Sequence, residues 1–147
     1  MGERGSFALE DPHRSVIAYA DGASRGNPGP ASFGVVVYDE EGQELHQSSR
    51  ALGRATNNQA EYQGAIAALE AALGLGAREV ELRMDSQLVV RQLEGRYRVR
   101  NPGLIPLHKR MLDLLSRFQR VTLRHVPREQ NREADRLANE ALDRTNS

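Results

Sequence analysis

Residues 15–51 read SVIAYADGASRGNPGPASFGVVVYDEEGQELHQSSRA, and their pattern predicts how the sheet begins. It begins with a mostly apolar strand, Ser15–Ala20, which we expect to stop at the turn signal Asp21-Gly22. Two further strands follow at Phe33–Asp39 and Gln43–Ala51, joined by a short acidic, glycine-containing turn. Strands joined in this way pair antiparallel. The stretch therefore predicts a three-stranded meander at the start of one sheet.

Downstream of residue 56, the spacing of apolar side chains changes from alternation to helical intervals. This spacing predicts a helix of about 15 residues that ends at Gly74-Leu75-Gly76. We then expect a strand, a short helix, an arginine-rich loop, a helix, a strand and a last helix, at residues 80–84, 86–94, 96–106, 107–118, 121–126 and from 131 onward. The order βββαβααβα places the chain in the α/β class.

The length of 147 residues predicts one domain with a single hydrophobic core. Residues 1–13 carry few apolar side chains, so we expect a flexible tail followed by a domain at residues 14–144. The absence of cysteine excludes a disulfide framework and a thiolate metal site. Neither an apolar run of about 18 residues nor a secretory signal is present, so we expect a cytoplasmic monomer without a membrane or protein partner.

The net charge is zero, but the charges are unevenly distributed along the chain. Residues 1–90 contain 7 basic and 13 acidic side chains, whereas residues 91–136 contain 12 basic and 5 acidic ones. All basic residues except Lys109 are arginines, which suit planar contacts with phosphates. The basic stretch is a candidate nucleic-acid surface, and a solvated helix face explains it equally well.

Four carboxylates stand at predicted element boundaries, namely Asp21, Glu61, Asp85 and Asp135. If the first and fourth strands are parallel neighbours, Asp21 and Asp85 lie side by side at one edge of the sheet. The long helix and the last helix can bring the other two acids to this pair. Converging carboxylates repel one another unless cations neutralise them, and oxygen-only ligands favour hard ions such as Mg²⁺ or Mn²⁺. Two such ions about 4 Å apart suit in-line phosphoryl transfer.

Each acid also has an ordinary structural explanation. Asp21-Gly22 suits a turn, and Glu61 suits a capping box with Asn58 at the start of the long helix. Asp85 suits the N-cap of the helix that follows it, and Asp135 suits a surface ion pair with Arg132 or Arg136. Taken one at a time, none of the four acids decides between a metal site and a structural role.

Four segments combine these acids with amides, hydroxyls and glycines. They read YADGASRGNPGPASFG, TNNQAEYQGAIAAL, MDSQLVVRQL and REQNREADRLANEAL, at residues 19–34, 56–69, 84–93 and 128–142. In order and spacing they resemble the motifs of type 1 ribonuclease H, and the resemblance covers nearly all of residues 15–143. It implies a ribonuclease H-like fold, with a five-stranded mixed sheet flanked by helices.

The resemblance also implies an activity. It is endonucleolytic hydrolysis of the RNA strand of an RNA–DNA hybrid, with two Mg²⁺ ions on the four acids, leaving 5′-phosphate and 3′-hydroxyl ends. By the same resemblance, five side chains contact the hybrid and one further side chain contacts a DNA phosphate. The five are Ser24, Asn27, Asn57, Asn58 and Gln87, and the sixth is Thr56.

Two departures from many bacterial members of that family concern substrate binding and product release. The lysine-rich protrusion of those members is replaced here by a short loop whose basic side chains are Arg96, Arg98 and Arg100. The glycine-rich, histidine-bearing loop before the last acid is also missing. His125 has the expected spacing, but the apolar alternation before it predicts a strand, so Arg128 and Glu129 are the better candidates to assist product release. The tail is too short for the hybrid-binding domain of some relatives.

Two rival functions remain open at this point. A hybrid-binding module of the same fold would bind without turnover, although such a module gains nothing from a repulsive acid cluster. A nuclease of the same fold directed at DNA is the second rival. The glycine-rich turn at residues 21–29 and the helix start at residues 56–61 favour the hybrid as substrate.

Overall fold

The structure is a computed structural model and describes residues 14–145. The predicted tail at residues 1–13 lies outside the described residues. The elements follow the predicted order βββαβααβα, with one added 3₁₀ turn at Arg128–Gln130. They are β1 Ser15–Ser24, β2 Gly29–Tyr38, β3 Glu44–Ala55, α1 Asn57–Gly74, β4 Glu79–Met84, α2 Gln87–Leu93, α3 Ile105–Leu115, β5 Arg120–His125 and α4 Arg132–Thr145.

The five strands form one mixed sheet in the order β3-β2-β1-β4-β5. The meander β1-β2-β3 is antiparallel, as its short turns predict, and the Asp39 carboxylate holds the second turn by accepting the N–H groups of Glu41 and Gln43. Strands β4 and β5 are parallel to β1 because helices carry the chain back before each of them. The predicted mixed sheet is confirmed.

The first strand is longer than its sequence predicts. Asp21-Gly22 is not a turn, because β1 continues to Ser24 and pairs with β2 as far as Ala31. Gly22 serves a different purpose there. A Cβ at this position would lie 2.3 Å from the backbone nitrogen of Glu61, so the missing side chain lets α1 pack directly onto the strand.

The helix caps also differ from the prediction. Thr56 caps α1 in a capping box with Gln59, not Asn58 with Glu61. Ser86 caps α2 by accepting the N–H of Val89, so the carboxylate of Asp85 is not used as a cap. Both acids are therefore available for other contacts. Helix α3 begins earlier than predicted because a proline is tolerated in the first turn, where its missing N–H would have no partner.

The core lies between one face of the sheet and the helices α1, α2 and α3. The other face is covered over β1, β2 and β3 by α4, which buries an apolar stripe of small and aliphatic side chains. Gly34 of β2 permits this packing, since a Cβ there would lie 2.2 Å from the carbonyl oxygen of Ala134. Within residues 14–145, no helix is both long and apolar enough to cross a membrane.

Candidate active site

The sheet register places two acids level with each other. The last pair between the parallel strands β1 and β4 is Tyr19 with Arg83. Asp21 and Asp85 each lie two residues beyond this pair, so both carboxylates emerge at the same edge of the sheet. The predicted adjacency of the two acids follows from backbone pairing and does not depend on side-chain rotamers.

Helix α1 adds a third acid to this edge. Its N-terminal part packs against β1 at Gly22, whose N–H donates a 2.6 Å hydrogen bond to Oε1 of Glu61. Asp21 and Glu61 are each only 5% exposed, whereas Asp85 is half-buried. Carboxylate oxygens of the three residues all lie within 4.8 Å of one another. Three oxygen ligands at this spacing can hold one metal ion.

Helix α4 contributes the fourth acid, Asp135, to the same cavity of about 390 Å³. Asn139 holds it by donating hydrogen bonds from Nδ2 to its backbone oxygen at 2.9 Å and to Oδ1 at 3.3 Å. The surface-pair explanation is wrong for Arg136, because this arginine instead bridges Glu133 and Glu140. The proximity of Asp135 contributes to raising the pKa of Asp21.

Burial and mutual repulsion change the acidity of the cluster. Burial, followed by the charges of Glu61 and Asp85, raises the pKa of Asp21. Burial also raises the pKa of Glu61, while the hydrogen bond from Gly22 acts in the opposite direction. Among the described residues that line the cavity, Arg128 is the only cation, and its side chain is 77% exposed at 3.8 Å from Asp135. One arginine therefore faces four acids in this cavity.

Three of the six residues expected to contact substrate lie at or next to the rim of the cavity. Ser24 and Asn57 line it directly. Ser24 donates hydrogen bonds to the carbonyl oxygens of Gly26 and, at 3.0 Å, Ala55, while Oδ1 of Asn27 accepts the N–H of Asn57 at 2.9 Å. These bonds join the glycine-rich turn to the start of α1. Hydrogen bonds within the protein thus hold the polar rim together.

The other predicted contacts lie farther from the acids. Thr56 caps α1, Asn58 is half-buried in the first turn of that helix, and Gln87 is exposed at the start of α2. None of the three lines the cavity that holds the acids. The loop between α2 and α3 exposes the three predicted basic side chains, Arg96, Arg98 and Arg100, and the first of them pairs with Glu94 at 3.5 Å.

The structure separates the candidates for product release. His125 is the last residue of β5 and pairs with Met84, so its predicted strand position is confirmed. Its side chain is exposed and does not line the cavity. Arg128 begins the 3₁₀ turn and lines the cavity. Glu129 is exposed beside it and lines a neighbouring pocket with Tyr19. By position, Arg128 is the candidate nearest the acids.

Two functional asparagines were not predicted from the sequence, namely Asn139 in α4 and Asn131 at the N-cap position of this helix. Asn139 lies four residues after Asp135, and this helical spacing is the signal that could have revealed their contact. Asn131 is 1% exposed and donates from Nδ2 to the carbonyl oxygen of Ala20 at 3.0 Å. No local pattern marks a contact between residues 111 positions apart.

Comparison with known proteins places the chain in a family. The family described as reverse transcriptase-like matches residues 19–141. Ribonuclease HI of Halobacterium salinarum is 50% identical over 138 residues, which cover 92% of this chain and 69% of that relative. The chain belongs to the type 1 ribonuclease H family. The crystal structure of the RNase H1 from that archaeon has a TM-score of 0.86 and 51% identity, over 88% of this chain and 98% of that one. The ribonuclease H-like fold is confirmed.

Two further members of the ribonuclease H family extend the comparison. LC11-RNase H1, solved in complex with an RNA/DNA hybrid, is 45% identical with a TM-score of 0.86, over 90% of this chain and 99% of that one. The bifunctional protein Rv2228c of Mycobacterium tuberculosis is 50% identical over 129 residues, or 87% of this chain. The chain spans only 35% of the length of this mycobacterial relative.

Proposed function

We propose that this member of the ribonuclease H family hydrolyses the RNA strand of RNA–DNA hybrids. The observation that carries the proposal is the convergence of four acids in one polar cavity, with three of them within 4.8 Å of one another. The hybrid bound in the LC11-RNase H1 structure supports the choice of substrate. The products are 5′-phosphate and 3′-hydroxyl ends.

The donor set of the cavity fits hard divalent ions. Its ligands are carboxylate oxygens, without the thiolate or imidazole groups that favour zinc. The raised pKa values of Asp21 and Glu61 indicate a cluster with too little positive charge, which a cation corrects. Divalent ions bound there supply activation of water and charge neutralisation for in-line phosphoryl transfer. We propose two Mg²⁺ ions, with Mn²⁺ as a substitute.

The side chains divide the binding of these ions. Asp21, Glu61 and Asp85 would hold one ion, and Asp21 would share the other with Asp135. Asp21 is suited to both positions, since its carboxylate lies within 4.8 Å of those of Glu61 and Asp85 and lines the same cavity as Asp135. The Gly22 N–H fixes Glu61 in place, and Asn139 does the same for Asp135. Arg128 lies where it can contact a phosphate and assist product release.

The rim of the cavity would bind the hybrid. Hydroxyl and amide groups of Ser24, Asn57 and Asn27 can bond 2′-hydroxyls and sugar oxygens across a shallow minor groove. The start of α1 at Thr56 is a favourable place for a DNA phosphate, because helix N-termini attract anions. Asn58, Gln87 and the three arginines of the loop after α2 extend this surface. We propose that the protein acts as a cytoplasmic monomer.

A cleavage assay tests the proposal. The full chain is incubated with a labelled RNA–DNA hybrid, both homoduplexes and both single strands, in Mg²⁺ or in EDTA. Cleavage of only the RNA strand of the hybrid, abolished by EDTA, is the expected result. Binding without cleavage favours a non-catalytic module, and cleavage of DNA favours a DNA-directed nuclease; either result overturns the proposal. The Asp85→Asn variant controls for a contaminating nuclease.

A further inference from the structure

Asn131 occupies the N-cap position of α4 but does not act as an ordinary cap. Its backbone oxygen accepts the N–H of Asp135 at 3.1 Å, which begins the helix. An asparagine in this position usually accepts a helix N–H through its side-chain oxygen. Here Nδ2 donates to the carbonyl oxygen of Ala20 at 3.0 Å, and Oδ1 is buried without a hydrogen-bond partner in the described structure. The Asn131 side chain therefore links the start of α4 to β1, and it does not cap the helix.

The two linked elements carry two of the acids. Ala20 directly precedes Asp21 in β1, and it lies one residue beyond the last pair of β1 with β4. Asn131 lies one helical turn before Asp135. The chain of contacts from Asp21 through Ala20 and Asn131 to Asp135 is therefore short, with one side-chain and one backbone hydrogen bond. This chain of contacts relates the position of one carboxylate to the position of the other.

The docking of α4 on the sheet has other anchors. The backbone of Ala134 packs against Gly34, and the Ser32 hydroxyl donates to the carbonyl oxygen of Ala138. Both anchors join α4 to β2, which carries none of the four acids. The bond from Asn131 joins the start of the helix to β1 next to Asp21. A buried polar atom without a partner is unfavourable, so its presence here calls for a functional explanation.

We propose that Asn131 is a positioning residue that sets the separation of the Asp135 and Asp21 carboxylates. The proposal rests on the proposed function for its effect on turnover, and on the geometry alone for its effect on metal binding. The side chain does not line the cavity that holds the acids, so it acts through Asp21 and Asp135. Groups that orient metal ligands in this way typically change metal affinity or activity by roughly 10–100-fold when they are removed.

The test compares a substitution at Asn131 with a matched loss of a buried hydrogen bond elsewhere. Asn131→Ser keeps a side chain that can cap α4 but is too short to reach Ala20. Tyr62→Phe is the control, because it removes a buried 2.7 Å hydrogen bond to Gln92 on the opposite side of the sheet from α4. For both variants of the full chain, calorimetry measures Tm, titration calorimetry measures the Kd for Mn²⁺, and hybrid cleavage gives kcat and KM.

We expect Asn131→Ser to raise the Kd for Mn²⁺ and to lower kcat, each by roughly tenfold, with KM within about twofold. Tyr62→Phe should lower Tm and leave the Kd and kcat within about twofold. The proposal is overturned if Asn131→Ser lowers Tm and leaves both the Kd and kcat unchanged, because Asn131 then only stabilises the fold.

The two proposals fail in different ways. A wild-type protein that does not cleave the hybrid but binds Mn²⁺, with an affinity that falls in Asn131→Ser, overturns the proposed function and supports the positioning role. If the wild type and Asn131→Ser cleave the hybrid with the same kcat, the proposed function is supported and the positioning role is overturned. Absence of Mn²⁺ binding at millimolar concentration overturns both.

Discussion

Replacing Asp21 with asparagine is expected to stabilise the protein when divalent ions are absent. The Asp21 side chain is buried, and this burial, with the charges of Glu61 and Asp85, raises the pKa of its carboxyl. At neutral pH the folded protein must hold a proton that the unfolded chain releases, or else bury a third charge beside two others. Asp21→Asn removes both penalties and keeps the size and hydrogen-bonding capacity of the side chain.

The structure gives the order of magnitude. Two full charges 4.8 Å apart repel by about 3 kcal/mol at an effective dielectric constant of about 20. Keeping Asp21 protonated at pH 7 costs at most about 4 kcal/mol, because its ordinary pKa of 3.8 lies about three units lower and each unit is about 1.4 kcal/mol. The two costs are alternatives and do not add. A gain of about 1–4 kcal/mol corresponds to a rise in Tm of roughly 3–10 °C.

The pH dependence has a definite sign. A group whose pKa is raised on folding contributes stability that is complete below its unfolded pKa and is lost as the pH rises through its folded pKa. The raised pKa of Glu61 acts in the same direction. Calorimetry in EDTA from about pH 4 to about pH 8 should therefore show the Tm of the wild type falling, and the Tm of Asp21→Asn falling less.

Magnesium is expected to stabilise the wild type more than the Asp21→Asn variant. Saturating Mg²⁺ should raise the Tm of the wild type by mass action, and that of Asp21→Asn by less, since the variant has lost a ligand. Amide variants of Glu61, Asp85 and Asp135 complete the series. The reasoning is refuted if all four variants melt below the wild type in EDTA and none loses magnesium-dependent stabilisation. The acids would then serve only to hold the fold.

Three other predictions concern activity and binding. Asp85→Asn should lower hybrid cleavage by about 10³-fold with the fold intact by circular dichroism, since about 4 kcal/mol of transition-state stabilisation is lost; cleavage within tenfold of the wild type contradicts the assignment. Arg128→Ala should reduce the rate of multiple-turnover cleavage more than His125→Ala does, because only Arg128 lines the cavity; the opposite ranking contradicts this placement. The third prediction replaces Arg96, Arg98 and Arg100 of the loop after α2 with alanine. With Ca²⁺ in place of Mg²⁺, the slope of log K for hybrid binding against log[salt] should then flatten by at most about three units. An unchanged slope places this loop outside the interface.

The order of elements could be predicted from the sequence, and so could the position of Asp21 beside Asp85 at one edge of the sheet, because both depend on local patterns. Alternating and helical hydrophobic spacing fixed the element types, and a helical crossover between β1 and β4 made the strands parallel. Asp21 and Asp85 then reach the same edge by chain direction alone. The length of β1 was underestimated, since its pairing with β2 continues past the turn signal Asp21-Gly22.

Tertiary contacts explain the parts that sequence reasoning did not reach. Asn58 and Glu61 have the spacing of a capping box, but Thr56 with Gln59 forms it, because Glu61 is held by the backbone of β1. The bond between Asn131 and Ala20 depends on the docking angle of α4, which no local pattern encodes. Contacts of this kind belong to the packed fold and not to any single segment.

The distribution of the acids along the chain has a consequence for biosynthesis. Asp21, Glu61 and Asp85 belong to the first 85 residues, whereas Asp135 arrives on α4, the last helix of the described structure. A nascent chain therefore contains three of the four acids long before the fourth leaves the ribosome. Because domains fold as units, the complete acid cluster cannot form until this helix has been synthesised and has docked on the sheet.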